Sequence, residues 1–232
     1  MRTLLVWVFL FSIQISSAQI LSEKERAKLK DELLEDRFQH LLPKLMDETG
    51  IDMWLLVSRE YNEDPVLKTM LPAKWLNARR RTIILFYRNK QKDVLERIAV
   101  ARYDIGKSIK SAWDKEVEPN QWKALSSIIA ERNPAKIGIN YSSHFPIADG
   151  LVKTDYDELI RNLPDSLTSK FVSAEELAIA WIETRTEKEM KLFKKLVTIT
   201  HNIIDGAFSN EVIQPGKTTT DDVVWHMRQT VT

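Results

Sequence analysis

Apolar positions along the chain switch between two spacings, and the switches mark the elements. From Ser22 to Thr49 the apolar set Leu29, Leu33, Leu34, Phe38, Leu41, Leu42 and Leu45 recurs every three or four residues between charged ones, which predicts one long amphipathic helix. Ser22 with Glu25 three residues on forms a capping-box signature, Gly50 stands where a helix C-cap would, and Pro43 predicts a kink or break near the end. Ile51 to Val57 is then a short, mostly apolar run of the kind buried on both faces of a sheet. Ser58 to Asn77 is a polar excursion containing proline. Thr82 to Tyr87 and Arg97 to Ala101 are further strands, joined by a charged segment of hairpin character, Arg88 to Asp93.

The alternation continues downstream. Pro119 suits a first helical turn, with Trp122, Leu125, Ile128 and Ile129 behind it and Asn133-Pro134 at the end. Lys136 to Asn140 returns to strand, Asp155 to Leu163 is a helix closed by Pro164, and Lys170 to Val172 is a last strand. Ser173, with Glu176 three residues on, starts another helix through Trp181. From Thr186 to about Ser209, and again from Thr220 to Val231, helical spacing is unbroken. Helices alternating with short apolar strands predict an α/β fold, a mixed sheet flanked by helices. The loss of strands after about 172 divides the mature chain into residues 19–172 and 173–232.

The first residues carry a targeting pattern. Arg2 gives a positive start, Leu4 to Ile13 an apolar run and Ser16-Ser17-Ala18 a small-residue cleavage site, so residues 1–18 are expected to be a signal peptide. Ser12 and Gln14 interrupt the run short of the roughly 20 residues a membrane span needs. The expectation is an exported protein, periplasmic or extracellular, with no membrane anchor after cleavage.

Charge and composition mainly exclude. With 34 basic and 33 acidic residues of both signs interspersed, the net +1 gives no basic face for nucleic acid. No cysteine is present, which removes disulfides, thiolate metal sites and a cysteine nucleophile. His40, His144, His201 and His226 are scattered, with none paired at metal-binding spacing. Gly216-Lys217-Thr218 looks like the end of a phosphate-binding loop, but Glu211 stands where its first glycine belongs and a helix precedes it. Asn140-Tyr141-Ser142 is a glycosylation sequon in form, read as chance. Of the seven tryptophans, Trp54, Trp122 and Trp181 fall on apolar faces and read as core, whereas Trp75 and Trp113 could serve a contact between subunits.

Two segments carry a family resemblance. Gly50-Ile51-Asp52-Met53-Trp54-Leu55-Leu56-Val57-Ser58-Arg59-Glu60-Tyr61-Asn62-Glu63-Asp64-Pro65 resembles the first strand and following loop of the creatinase-type N-terminal domain. Glu183-Thr184-Arg185-Thr186-Glu187-Lys188-Glu189, followed after a helix by Pro215-Gly216-Lys217-Thr218-Thr219-Thr220-Asp221-Asp222, resembles the entry to the pita-bread metallopeptidases: Xaa-Pro aminopeptidase, prolidase and creatinase. The resemblance implies a prolidase-type N-terminal domain, followed by the first two helices of an incomplete peptidase domain.

In that family two divalent ions, usually manganese, cobalt or zinc, are held by two aspartates, a histidine and two glutamates, and together they generate hydroxide and polarise the scissile carbonyl. The resemblance places all five ligands beyond Thr232, so it assigns this chain no catalytic and no metal-binding residue and implies that the chain alone is inactive. Asp93 and Asp104 imitate the spacing of the two aspartate ligands but precede the Pro-Gly turn, and read as surface carboxylates.

The resemblance implies substrate gating and homo-oligomer assembly for this part, and a peptide substrate for the complete enzyme. Arg59, Glu60, Tyr61 and Asn62 are the candidate substrate-proximal loop, because they leave a buried strand end where ligands meet α/β sheets. The plainer reading is a surface loop with ion pairs to Arg79, Arg80 or Arg81. A free-standing α/β binding or assembly module is the alternative to the enzyme fragment. Whether more protein follows Thr232 separates the two.

Overall fold

The computed structural model describes residues 21–231; the signal-peptide expectation for residues 1–18 lies outside them. Two compact units emerge, one formed by Glu23–Met190 and the other containing the residues from Lys191 onward.

The first unit is a mixed α/β layer structure. Its opening helix comes in three pieces: α1 (Glu23–Asp36), a π-helical turn (Arg37–Leu41) and α2 (Leu42–Thr49). Pro43 explains the break and its position. Proline has no N–H, and its ring crowds the carbonyl four residues back. The chain widens in the turn before it, where Leu42 N–H reaches Arg37 O instead of the α-helical partner. Gly50 ends α2 in the left-handed region at φ 66°, its N–H bonded to Met46 O.

The strands are β1 (Met53–Arg59), β2 (Arg81–Asn89), β3 (Val94–Ala99), β4 (Lys110–Ser111), β5 (Ile137–Ile139) and β6 (Phe171–Ser173), arranged in one sheet in the order β4-β3-β2-β1-β5-β6. β1, β2 and β3 run antiparallel in turn, while β5 lies parallel to β1, β6 parallel to β5 and β4 parallel to β3. β4 has only two residues and no apolar run to announce it. The helices are α3 (Pro65–Lys68), α4 (Gln121–Arg132), α5 (Lys153–Asn162), α6 (Asp165–Thr168) and α7 (Glu175–Glu183).

Alternation along the central strands divides the core in two. Trp54, Leu56, Ile84, Phe86 and Ala99 point to one face and pack with Phe38, Leu42, Met46, Leu67, Leu177 and Trp181 from the helices. Met53, Leu55, Val57, Ile83, Leu85 and Ile98 point to the other and pack with Trp122, Leu125, Ile129 and Leu159. β1 is therefore buried on both faces, as its continuous apolar run requires.

Several boundaries differ from the sequence expectation. α4 starts at Gln121, capped by the Asn120 side chain, which accepts from Trp122 N and Lys123 N; Pro119 precedes the cap. α7 begins after Ala174; Ser173 closes β6, and its Oγ accepts from the first N–H of the helix, that of Glu175, at 3.1 Å. Leu177, Ala178 and Trp181 of α7 are built into the first core.

Arg37 secures the unit's last turn. Its guanidinium donates to Thr184 O at 2.8 Å, to the Glu189 carboxylate at 2.8 and 3.1 Å and to Trp181 O, and lies 4.2 Å from the Trp181 ring centroid. Thr186 and Glu189 form a reciprocal capping box for α8 (Glu187–Ala207).

In the second unit, Pro215-Gly216 turns the chain toward α9 (Thr220–Val231), with Gly216 at φ 77° and Thr218 Oγ1 donating to Val212 O. Thr219 and Asp222 exchange capping bonds at the start of α9. Phe193, Leu196, Val197, Ile204, Phe208 and Trp225 are each exposed. Among the described residues no helix is long and apolar enough to cross a membrane.

Candidate functional site

The carboxyl end of β1 carries polar chemistry on both faces of the sheet, because side chains alternate there as elsewhere. Ser58 points to the face of α3 and Arg59 to the face of α4 and α5. Each meets a buried aspartate.

On the α3 face the aspartate is Asp64, 1% exposed. Its Oδ1 caps α3 by accepting from Val66 N at 2.7 Å and Leu67 N at 3.0 Å, and its own N–H donates to Ser58 Oγ at 2.7 Å. Asn140 Nδ2 donates to Asp64 Oδ2 at 2.8 Å, and Trp54 Nε1 donates to Asn140 Oδ1 at 2.8 Å. An indole N–H can only donate, so the Asn140 amide has one orientation, and that orientation requires an acceptor at Asp64. Gly150 closes over this carboxyl: a Cβ there would overlap the Asp64 side chain. Burial pushes the Asp64 carboxyl above the ordinary carboxylate range, against the bonds from Leu67, Asn140 and Val66.

On the other face Arg59 and Arg81 are direct partners in the β1–β2 register, so two guanidinium stems stand opposite one another. Like charges so placed repel. Asp155 of α5, fully buried, sits between them, with Oδ2 3.2 Å from Arg59 Nε and Oδ1 3.5 Å from Arg81 Nε. Burial raises the Asp155 carboxyl, opposed by the charges of Arg59 and Arg81. The Arg81 guanidinium also lies 4.7 Å from the Trp122 ring centroid.

The loop beyond is held by its backbone. Glu60 N–H donates to Arg80 O at 2.6 Å and Arg80 N–H to Glu60 Oε2 at 3.1 Å, while Glu63 Oε1 accepts from Tyr61 N and Ala78 N. Tyr61 and Arg80 both adopt left-handed backbone, at φ 66° and 50°. For residues with a Cβ this costs about 1–2 kcal/mol each. Of the four predicted loop residues, Arg59 is therefore committed to Asp155 and the Glu60 carboxylate to Arg80 N–H. Tyr61, 80% exposed, and Asn62 stand at the tip. Sequence reading gave no buried site role to Asp64, which it placed in the loop after β1, to Asn140, which it placed in the sequon, or to Asp155; Asp64-Pro65 is a helix-start signal that could have found the first.

Other sequence candidates are scattered. Asp93 sits in the β2–β3 turn, where it binds Arg88 at 2.6 Å, and Asp104 lies beyond the far end of β3, bonded to Lys110 at 2.8 Å and Ser111 N at 2.9 Å. A six-residue strand, about 20 Å long, separates them. Among the described residues no three His, Asp or Glu side chains converge as metal ligands, so the residues present do not fit the two-metal centre that the resemblance implies for a complete enzyme. Trp113 is half-buried and donates to Glu118 O, and Trp75 stacks edge-on against Tyr103.

No protein-family model matches the chain, and no curated protein sequence matches it. Among solved structures it is similar to a Xaa-Pro dipeptidase from Bacillus anthracis, at a TM-score of 0.47 and 18% identity, over 88% of this chain and 49% of that one. The chain spans about half the length of that protein.

Proposed function

We propose that this chain is the N-terminal portion of an exported metallopeptidase of Xaa-Pro aminopeptidase or prolidase type, which serves substrate gating and subunit assembly while the metal-bearing half supplies the chemistry. The observation that carries the reading is the order of parts. A complete α/β unit, closed by the Arg37–Glu189 clasp, is followed by a capped helix, a Pro-Gly turn and a second capped helix, with Phe193, Leu196, Val197 and Ile204 of the first helix and Trp225 of the second exposed. Exposed apolar faces of that extent mark a surface meant to be covered. The proposed gate is the tip of the β1 loop, where left-handed backbone at Tyr61 is held by the Glu60–Arg80 bonds. Manganese, cobalt or zinc would belong to the complete enzyme, and no step is assigned to them.

The reading is tested on native protein captured from its source, assayed for hydrolysis of Xaa-Pro peptides before and after chelation. Chelator-sensitive hydrolysis, together with a raised KM and unchanged kcat in Tyr61→Ala, supports both halves of the proposal. Absence of hydrolysis in metal-supplemented protein contradicts it. The free-standing binding module is the second reading, favoured by a crevice that is complete within the first unit.

A further inference from the structure

We infer that the crevice bounded by Arg80, Arg81, Arg102, Tyr103, Trp113 and Gln121 binds a small organic anion: one carboxylate or phosphate head carried on an apolar body. This rests on the geometry of the first unit and not on the peptidase reading. The crevice opens where β2 begins, next to the end of β3 and the first residue of α4, and measures about 330 Å³, toward the small end of ligand pockets.

The polar tips of its walls are already used by the protein. Trp113 Nε1 donates to Glu118 O at 2.7 Å, Tyr103 Oη to Arg79 O at 3.0 Å, and Gln121 Nε2 to Val100 O at 2.6 Å and Arg81 O at 3.3 Å. What Trp113 and Tyr103 can still offer is ring surface, and Gln121 its stem and its amide oxygen. The Gln121 bonds also tie the start of β2 to the end of β3, which fixes the floor before any ligand arrives.

The remaining donors are guanidiniums, in excess over their counter-charges. Asp155 is shared by Arg59 and Arg81, and the Glu60 carboxylate accepts the Arg80 backbone N–H. Arg79 lies 4.4 Å from the Trp75 ring centroid and 5.4 Å from that of Tyr103. Among the described residues no ion pair ties the Arg80 or Arg102 side chain to a carboxylate, and both residues are exposed. Burial raises the Tyr103 hydroxyl, with the Glu60 carboxylate acting in the same sense and Arg79, Arg80 and Arg102 opposing it, so three guanidiniums and one carboxylate act at this wall of the crevice. Aromatic walls beneath unpaired, planar, multi-donor cations select a ligand that is apolar in its body and anionic at one end.

The test is titration of the full chain with benzoate, phenyl phosphate, inorganic phosphate and neutral benzamide at fixed ionic strength, read by calorimetry. Benzoate or phenyl phosphate is expected to saturate at one site, and the tighter of the two identifies the head group. Benzamide is expected not to bind. Arg80→Gln/Arg102→Gln, two exposed positions, should weaken the organic anions roughly tenfold or more with an unchanged melting temperature. Trp113→Leu should weaken them while leaving any binding of inorganic phosphate as it was. Equal binding of benzamide and benzoate, undiminished binding by the double variant, or no saturation by either organic anion at millimolar concentration overturns the proposal. None of these readouts involves peptide hydrolysis, so failure here leaves the peptidase reading standing, and the reverse holds.

Discussion

Asp64 and Asn140 form a directional pair, and reversing the pair tests the direction. Trp54 Nε1–H fixes Asn140 Oδ1, which turns Asn140 Nδ2 toward Asp64 Oδ2. Asp64→Asn has the shape of the original and can still cap α3, yet it presents an NH2 to an NH2 in a place that water does not reach. The two facing NH2 groups are then both left without an acceptor, at a cost of about 1–3 kcal/mol for each. Asn140→Asp puts a second carboxyl against a buried one, at a cost of about 3 kcal/mol. In Asp64→Asn/Asn140→Asp every partner returns: the carboxylate now at position 140 accepts from Trp54 and from the amide now at position 64, whose own oxygen caps Val66 and Leu67. The double variant should therefore be more stable than the Asn140→Asp single variant, with a coupling of about 2 kcal/mol or more. Urea unfolding of the four proteins at neutral pH, followed by tryptophan fluorescence, measures it. Additivity within about 0.5 kcal/mol would refute the directional network.

Three further outcomes follow from the same geometry. Gly150→Ala drives a methyl into the Asp64 carboxyl and should destabilise by about 1–3 kcal/mol in the same assay. Arg37→Ala leaves Glu189 half-buried without its cation and frees the carbonyls of Trp181 and Thr184, which should cost about 3 kcal/mol and open the Thr184–Glu189 segment to limited proteolysis. For pH, Asp64 and Asp155 have folded values raised above the unfolded ones, so their contribution to stability is greatest below the ordinary carboxylate value and is lost as pH rises through the raised values. Glu35, lowered by Ser108 and Arg97 against its own burial, works in the opposite sense and loses its contribution as pH falls. Asp64→Asn and Asp155→Asn should each remove part of the first dependence from a urea midpoint-versus-pH profile, and Glu35→Gln part of the second.

The fold was legible where burial imposes a pattern. β1 is a solid apolar run because it is covered twice, and β2 beside it is buried without interruption from Thr82 to Phe86 for the same reason. Gly50 and Asn133 announce left-handed caps. What the sequence concealed is what tertiary structure supplies. Two-residue β4 is a strand only because β3 lies beside it. Pro43 foretold a break, but the π turn falls upstream of it, since the carbonyl that must move belongs to the preceding turn. At the site, the loop Arg59–Asn62 was visible as a polar exit from a buried strand. Asp155 was not: it reads as an ordinary first-turn helix acid until β1 and β2 set Arg59 and Arg81 side by side. The crevice draws on residues from 80 to 121 that no local spacing connects.

The intact mass of the native protein tests most directly the proposal that this chain is part of a larger enzyme. Protein captured from the source with an antibody to the helix that begins at Glu23 should have about twice the mass of a prolidase-type N-terminal portion of this kind, consistent with a following metal-bearing half. A native mass equal to that of a polypeptide ending at Thr232 would contradict the enzyme reading and leave a binding module whose chemistry is confined to the arginine crevice.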